Sequence, residues 1–207
     1  MTSFYDNFIL PHAMNLACGY KKIAKIRKDV VPQAQGVVIE FGIGSGYNLK
    51  HYNPDRVRRV IGIDPSPKFQ ALGKARFDAS PVEVELVEAR AEATGLPSSM
   101  ADTVVVTYTL CSVEQVVLAL GEARRLLKPT GKLLFLEHGL APDEKIAARQ
   151  ELLSPLTVRF AGGCHLTRNV EKMILDAGFT FDWLERRWVK KMPKTSSFQY
   201  LGAASVR

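Results

Sequence analysis

GVVIEFGIGSGYNLKHYNPDRVRRVIGID, residues 36–64, decides the fold of this 207-residue chain. An apolar run, Val37-Val38-Ile39, leads into Glu40, and glycines follow at 42, 44 and 46. A second apolar run, Val60-Ile61-Gly62-Ile63, ends on Asp64. The pattern predicts a strand, a glycine-rich turn opening a helix, and a second strand ending in a carboxylate. In a doubly wound sheet such a turn lies at the carboxyl end of the first strand, where ligands bind. Glycine lets backbone approach a ligand closely and adopt φ values that other residues avoid. An acid ending the second strand is placed to accept hydrogen bonds from ribose hydroxyls. The unit is therefore expected to bind a ribose-containing cofactor.

The glycine spacing narrows the choice. A dinucleotide fingerprint, G-x-G-x-x-G, needs a third glycine at position 47, which is Tyr47. The chain instead reads E-x-G-x-G-x-G from Glu40 to Gly46. That resembles motif I of the class I S-adenosylmethionine (SAM) methyltransferases. Glu40 suits SAM, which carries an amino group that a nicotinamide dinucleotide lacks. Glu40 and Tyr47 together count against an NAD-binding oxidoreductase.

Length suits one domain over 1–207 with a small cap. Hydrophobic residues make up 46% and charged residues 24%, a globular balance. The sequence lacks the run of ~18 apolar residues that a transmembrane helix needs, and the first twenty residues lack the pattern of a signal peptide. Cys18, Cys111 and Cys164 are odd in number and far apart, as expected of reduced thiols in a cytoplasmic protein. The net charge is +7. Basic residues cluster at Lys21, Lys22, Lys25, Arg27 and Lys28, and again at Arg186, Arg187, Lys190, Lys191 and Lys194. Such clusters are solvated faces or a peripheral contact with anionic membrane. No nucleic-acid motif accompanies them, so no nucleic-acid partner is expected.

Residues 3–28 read as an amphipathic helical cap interrupted by Pro11, with Phe4, Phe8, Leu16 and Ile23 near one stripe. It covers the mouth of the cofactor site, lies on a membrane surface, or is an ordinary packing helix. Val82–Val87 and Thr103–Leu110 read as the third and fourth strands. Val113–Leu127 reads as a helix stopped by Pro129 and Gly131, and Lys132–Glu137 as the fifth strand. Asn169–Ala177 is a helix ended by Gly178. Two final strands near Phe181–Glu185 and Phe198–Ala204 form an antiparallel hairpin. Strands alternating with helices give an α/β class. The expected architecture is a Rossmann-like, doubly wound, mostly parallel seven-stranded sheet with a C-terminal antiparallel hairpin.

Several further segments resemble the type 11 branch of the class I SAM methyltransferases. They are Gly62–Ser66, Ala91-Glu92, Thr109–Val113, Arg124–Pro129 and Leu136-Glu137-His138. Gly162–Arg168, GGCHLTR, resembles an element of the lipid- and thiol-type subgroup. The resemblance runs from about Phe4 to Ala204. It implies that Glu40 and Gly42 hold the methionine end, Gly44 and Gly46 shape the loop, and Asn48 starts the adjoining helix. It also implies that Asp64 holds the ribose, that Pro65, Ala91 and Glu92 surround the adenine, and that Thr109 faces the sulfonium. The family often carries an acceptor for the adenine amino group where this chain has Arg90, which turns out to solvent or stacks.

Methyl transfer from SAM is an in-line displacement at an activated methyl. Aligning donor and acceptor and removing water is then most of what a protein must do. A base is needed only where the acceptor is protonated. Tyr108 and His138 are the catalytic candidates, with Cys111, His138, His165 and Arg168 as acceptor-binding candidates. Cys164-His165 has no C-x-x-C or second spaced His pair beside it, so the spacing predicts no metal. The segment 143–168 reads as a substrate cap, with Leu152, Leu153, Leu156, Val158 and Phe160 building an apolar acceptor pocket. The expected activity is methylation of N, S or O on a small or lipid-like acceptor. C-methylation of a quinone precursor and an inactive SAM-binding regulator remain as alternatives.

Overall fold

The computed structural model describes residues 5–207. Seven strands form one sheet: β1 (Gly36–Phe41), β2 (Val57–Ile63), β3 (Glu83–Val87), β4 (Ala101–Thr107), β5 (Leu127–His138), β6 (Phe179–Trp188) and β7 (Phe198–Val206). Their order is β3-β2-β1-β4-β5-β7-β6. The pairs from β3 through β5 are parallel, and β7 runs antiparallel to both β5 and β6. The expected sheet and its C-terminal hairpin are both present. The strand order reverses between β1 and β4. The crevice at their carboxyl ends is the ligand position of a doubly wound sheet.

The central strands are apolar on both faces, as parallel strands covered on both sides must be. Ile39, Phe41, Ile61, Ile63, Val104, Val106, Leu133 and Phe135 face one core. Val38, Val60, Val105, Leu134 and Leu136 face the other. At the edge, β3 is short and exposes Glu83 and Glu85, which discourages further strand pairing.

Among the described residues eight α-helices flank the sheet: α1 (Leu10–Cys18), α2 (Lys21–Val30), α3 (Pro67–Leu72), α4 (Lys74–Asp78), α5 (Val116–Leu126), α6 (Glu144–Phe160), α7 (Val170–Asp176) and α8 (Lys194–Ser197). Residues 3 and 4 of the expected cap, Phe4 included, lie outside the described residues. Within the cap, Pro11 is in the first turn of α1, where its missing N–H is harmless. The break falls at Gly19 and Tyr20 instead. A Cβ at Gly19 would sit 2.3 Å from the Tyr47 hydroxyl oxygen, so the glycine loop packs into this break.

Other boundaries moved for identifiable reasons. The helix expected after the glycine turn is one 3₁₀ turn, Leu49–His51. Asn53 precedes Pro54, and the residue before proline is driven out of the helical region. Strand β4 ends at Thr107 because Tyr108 takes a left-handed φ of 54°. Helix α5 starts three residues late because Glu92 accepts the N–H groups of Glu114 and Gln115, at 3.0 and 3.2 Å. Its end at Leu126 is not set by Pro129 and Gly131. Those residues lie inside β5, where the register with β4 shifts between Ala101 and Thr103. Asn169 caps α7 by accepting from the Lys172 N–H at 3.0 Å. Such a cap is worth about 1 kcal/mol.

Candidate active site

A cavity of about 580 Å³ opens over the carboxyl ends of β1, β2 and β4. Glu40, one residue before the end of β1, has 1% exposure. One carboxylate oxygen accepts from Asn48 Nδ2 at 2.8 Å and the other from the Tyr52 hydroxyl at 2.6 Å. Burial raises its pKa to about 7, against the opposing effects of Tyr52, Arg27 and Asn48. Arg27 comes from α2 and is 4% exposed. Its Nη1 donates to Asn48 Oδ1 and Thr107 Oγ1, both at 2.7 Å. Its guanidinium lies 5.2 Å from the centroid of the Tyr108 ring. Both Glu40 and Arg27 line the cavity, so it presents a buried carboxyl and a buried guanidinium together.

The glycine loop follows. Gly42, Gly44 and Gly46 all have positive φ, at 64°, 52° and 75°. A Cβ at Gly42 would lie 2.3 Å from Thr109 Oγ1, and one at Gly46 2.7 Å from Leu49 Cδ1. A Cβ at Gly44 would meet nothing closer than 3.8 Å. Positions 42 and 46 are small for the protein's own packing, whereas position 44 leaves a cradle. Asp64 is 6% exposed and accepts from the Gly44 N–H at 2.9 Å and the Ser66 N–H at 2.8 Å. Burial raises its pKa despite those bonds. Asp64 therefore ties the loop to the end of β2 as well as facing the cavity.

Helix α1 closes one side with Leu10, Met14, Asn15 and Cys18. The Asn15 Oδ1 accepts from Ser45 Oγ at 2.7 Å and Arg76 Nη2 at 2.9 Å, fastening α1 to the glycine loop. Pro65, Phe69, Arg90, Ala91 and Glu92 line the far end. Arg90 turns outward and pairs with Glu114 at 2.6 Å.

Of the expected cofactor residues, Glu40, Gly42, Gly44, Asp64, Pro65, Ala91, Glu92 and Thr109 line one cavity. Gly46 and Asn48 stand behind it, Asn48 both linking Arg27 to Glu40 and opening the 3₁₀ turn Leu49–His51. Of the acceptor-side candidates, Tyr108 and His165 are in the wall, while Cys111, His138 and Arg168 are behind it. The buried Tyr108 hydroxyl finds no hydrogen-bond partner among the described residues. Its left-handed backbone is a strained conformation of the kind that gathers at functional sites. Arg168 donates to the Leu110 and Val113 carbonyls and so braces the loop after β4. The expected apolar pocket from α6 is not there. Only Val158 of the five residues reaches the cavity, and Leu152, Leu156 and Phe160 are 77%, 56% and 54% exposed. The buried side of α6 is polar instead, with Gln150 bonding the Gly139 carbonyl and the Ala141 N–H.

Cys111, His138 and Cys164 form a separate group. Cys164 Sγ is 3.1 Å from His138 Nε2, and the Tyr108 ring stacks on His138 at 6.4 Å between centroids. Hydrogen bonding from Cys111 and the adjacent His138 draw the Cys164 thiol below its ordinary value, against burial. Glu137, fully buried, accepts the Thr109 and Leu110 N–H groups at 2.6 and 2.9 Å and so fixes the turn after β4.

A family model described as a methyltransferase domain matches residues 39–135. The chain is 33% identical over 181 residues to the thiol S-methyltransferase TMT1B of Rattus norvegicus, covering 82% of this chain and 73% of that one. This chain belongs to the class I SAM-dependent methyltransferases. The thiol S-methyltransferase TMT1A of Homo sapiens is also 33% identical, over 72% of this chain and 62% of its own length. Among solved structures, a SAM-dependent methyltransferase from Leishmania major superposes with a TM-score of 0.70 at 13% identity, covering 97% of this chain and 80% of that one. One from Aquifex aeolicus gives 0.65 at 16% identity, covering 95% and 98%. These two likenesses concern the fold.

The methyltransferase uses SAM, and its cavity has the chemistry to hold it. The glycine cradle leaves room at position 44, and a buried carboxyl and a buried guanidinium, bridged by Asn48, stand at one end. Arg27, Tyr52, Thr107, Asn15 and Glu137 were not singled out in the sequence as site residues. For Arg27 a signal existed: it shares the helical stripe of Ile23 and Val30, so its side chain points inward with them. Its cluster is therefore not wholly a solvated face. The two basic clusters meet where Lys22 Nζ donates to the carbonyls of Lys190 and Lys191, at 2.8 and 3.0 Å. Arg186 pairs with Glu171, and Arg187 with Asp29. Among the described residues no helix is long and apolar enough to cross a membrane.

Proposed function

We propose that this methyltransferase transfers the SAM methyl group to the sulfur of a small thiol. The observation that carries this reading is its similarity, over four-fifths of its length, to thiol S-methyltransferases. SAM supplies a methyl on a positively charged sulfur, activated without help from the protein. Glu40 takes the ammonium of the methionine end and Arg27 its carboxylate, matching the two charges of an amino acid with two buried opposite charges. Asp64 accepts from the ribose hydroxyls while still holding the Gly44 and Ser66 N–H groups. Pro65, Ala91 and Glu92 take the adenine end, with Phe69 offering a ring beside it. Thr109 faces the sulfonium. Acceptors enter between α1 and the 158–165 segment, where Cys18, Tyr108, Val158, Gly163 and His165 line the wall. The Tyr108 hydroxyl is the polar group that orients them.

The test is formation of S-adenosylhomocysteine over a panel of small thiols, amines and phenols. Transfer to thiols is expected. SAM binding without transfer to any thiol sinks the reading and favours a regulator without turnover. Tyr108→Phe is expected to leave SAM affinity unchanged and to lower kcat/KM for the acceptor about three- to tenfold, the value of one hydrogen bond. Unchanged kinetics on an accepted thiol would remove Tyr108 from the acceptor site.

Asp64→Ala is expected to weaken SAM binding on the order of a hundredfold, since bonds to a charged acceptor are worth ~1.5–3 kcal/mol each. Because Asp64 also anchors the Gly44 and Ser66 N–H groups, the melting temperature should fall too. Calorimetric affinity together with a thermal melt reads both. Wild-type affinity in a folded variant would overturn the ribose assignment.

A further inference from the structure

Two of the three cysteines and one of the four histidines of this chain converge behind the cavity wall. Cys111 follows β4, His138 ends β5, and Cys164 follows α6. They are separated by 26 residues or more, so no sequence spacing announces them. Their ligand atoms, two Sγ and one imidazole nitrogen, all lie within 4.8 Å of one another. Zinc with bonds of about 2.3 Å to sulfur and about 2.0–2.1 Å to nitrogen holds tetrahedral ligand atoms about 3.6–3.8 Å apart. The 3.1 Å pair of Cys164 Sγ and His138 Nε2 needs to open by only about half an ångström to reach that spacing.

The frame around the three is already fixed. The His165 N–H donates to the Cys111 carbonyl at 2.8 Å, and Thr157 Oγ1 donates to the Cys164 carbonyl at 2.7 Å. Arg168 holds the carbonyls on either side of Cys111, those of Leu110 and Val113. Glu137 holds the N–H groups of Thr109 and Leu110. Little backbone ordering remains for an ion to impose. Thiolate and imidazole ligands together select zinc over magnesium or calcium. Three protein ligands, rather than four, are the count of a site that keeps a position open. The immediate neighbours Ser112, Gly163 and His165 line the cavity, so the group lies one residue behind the acceptor side.

We propose that Cys111, His138 and Cys164 bind one Zn²⁺ ion and leave its fourth position to the thiol acceptor. The second half rests on the thiol reading above. At that position the acceptor R–SH releases its proton to solvent. Its sulfur then attacks the methyl carbon as the bond from carbon to the sulfonium breaks, and that electron pair stays on the departing sulfur. The products are the methyl thioether and neutral S-adenosylhomocysteine.

The test uses the full chain, purified with a phosphine reductant and loaded with Zn²⁺ or Co²⁺. One zinc per chain should survive dialysis, and the cobalt form should show sulfur-to-metal charge-transfer absorption. Zinc should raise the melting temperature of the wild type, since it binds the folded site. Cys164→Ser, at a half-buried position, should fold yet lose the metal and the charge-transfer band, as should His138→Gln. Cys18→Ser should keep both. Adding ethanethiol to the cobalt form should add a further sulfur band. Substoichiometric zinc after loading, or a Cys111–Cys164 disulfide in its place, overturns the site. If zinc-free enzyme still methylates ethanethiol at the wild-type rate, the zinc inference falls and the thiol reading stands. If metal binds stoichiometrically but no thiol is methylated, the thiol reading falls together with the role of the fourth position, and the three-ligand site alone stands.

Discussion

Gly44→Val should abolish SAM binding while leaving the protein folded. The two effects separate because position 44 is open. A Cβ there meets only Asp64 Oδ2 and the Gly42 carbonyl, each at 3.8 Å, so the folded chain has room for it. What it fills is the space the ligand needs. The fold bears only the left-handed φ of 52°, which costs an L residue roughly 1–2 kcal/mol. In a chain of this size that lowers the melting temperature by a few degrees. Affinity measured by titration calorimetry should fall beyond detection, more than a hundredfold. The neighbouring glycines supply the contrast. A Cβ at Gly42 collides with Thr109 Oγ1 at 2.3 Å, and one at Gly46 with Leu49 Cδ1 at 2.7 Å. Alanine at either should damage the fold before any ligand is added. If Gly44→Val bound SAM like the wild type, the loop would not be the cofactor cradle.

The same loop shows how far the sequence could be read. Local signals located what local physics controls. Apolar runs of β-branched residues gave the strands, and the glycine spacing gave the turn at the strand end. Glu40 and Asp64 were visible because each follows an apolar run directly. Arg27 was not, because a charge counted in a cluster carries no mark of which way its side chain points. Its inward place depends on α2 packing over the end of β4, where Thr107 meets it. The chain-distant trio of Cys111, His138 and Cys164 was illegible for the same reason. Tertiary packing alone brings the loops after β4 and α6 to the end of β5. The apolar residues of α6 misled in the opposite direction. Hydrophobicity at Leu152, Leu156 and Phe160 suggested a pocket, yet their helical phase sets them outward, away from Gln150 and Ser154.

Glu40 offers the sharpest measurement, because it is expected to cost stability where it gives binding. Its folded pKa, about 7, stands above the ordinary carboxylate value of 4.5. The folded state therefore holds the proton more tightly than the unfolded chain does. As pH rises from 4.5 toward 7, the unfolded chain ionises first and wild-type stability falls. A rise of that size corresponds to about 3 kcal/mol at most. Glu40→Gln has no such group and should not show that part of the decline. Glu137, raised to about 7 by burial as well, contributes equally to both proteins and cancels in the difference. The variant can keep its shape, since the Tyr52 hydroxyl can rotate to accept from the new amide. SAM binding should move the other way. Wild-type affinity should climb through pH 7 as Glu40 ionises, then fall above about pH 8 as the ligand's amino group loses its proton. Glu40→Gln should bind on the order of a hundredfold more weakly, with the acid limb gone, because the charged hydrogen bond to the ammonium is lost. Glu40→Ala should lose binding and stability together, since the buried Asn48 amide and Tyr52 hydroxyl would then lose the acceptor that Gln still partly supplies. Thermal melts and calorimetric titrations of the three proteins from pH 5 to 9 measure all of this. Equal SAM affinity in wild type and Glu40→Gln across that range would show that Glu40 serves the apo network of Asn48 and Tyr52 and not the cofactor.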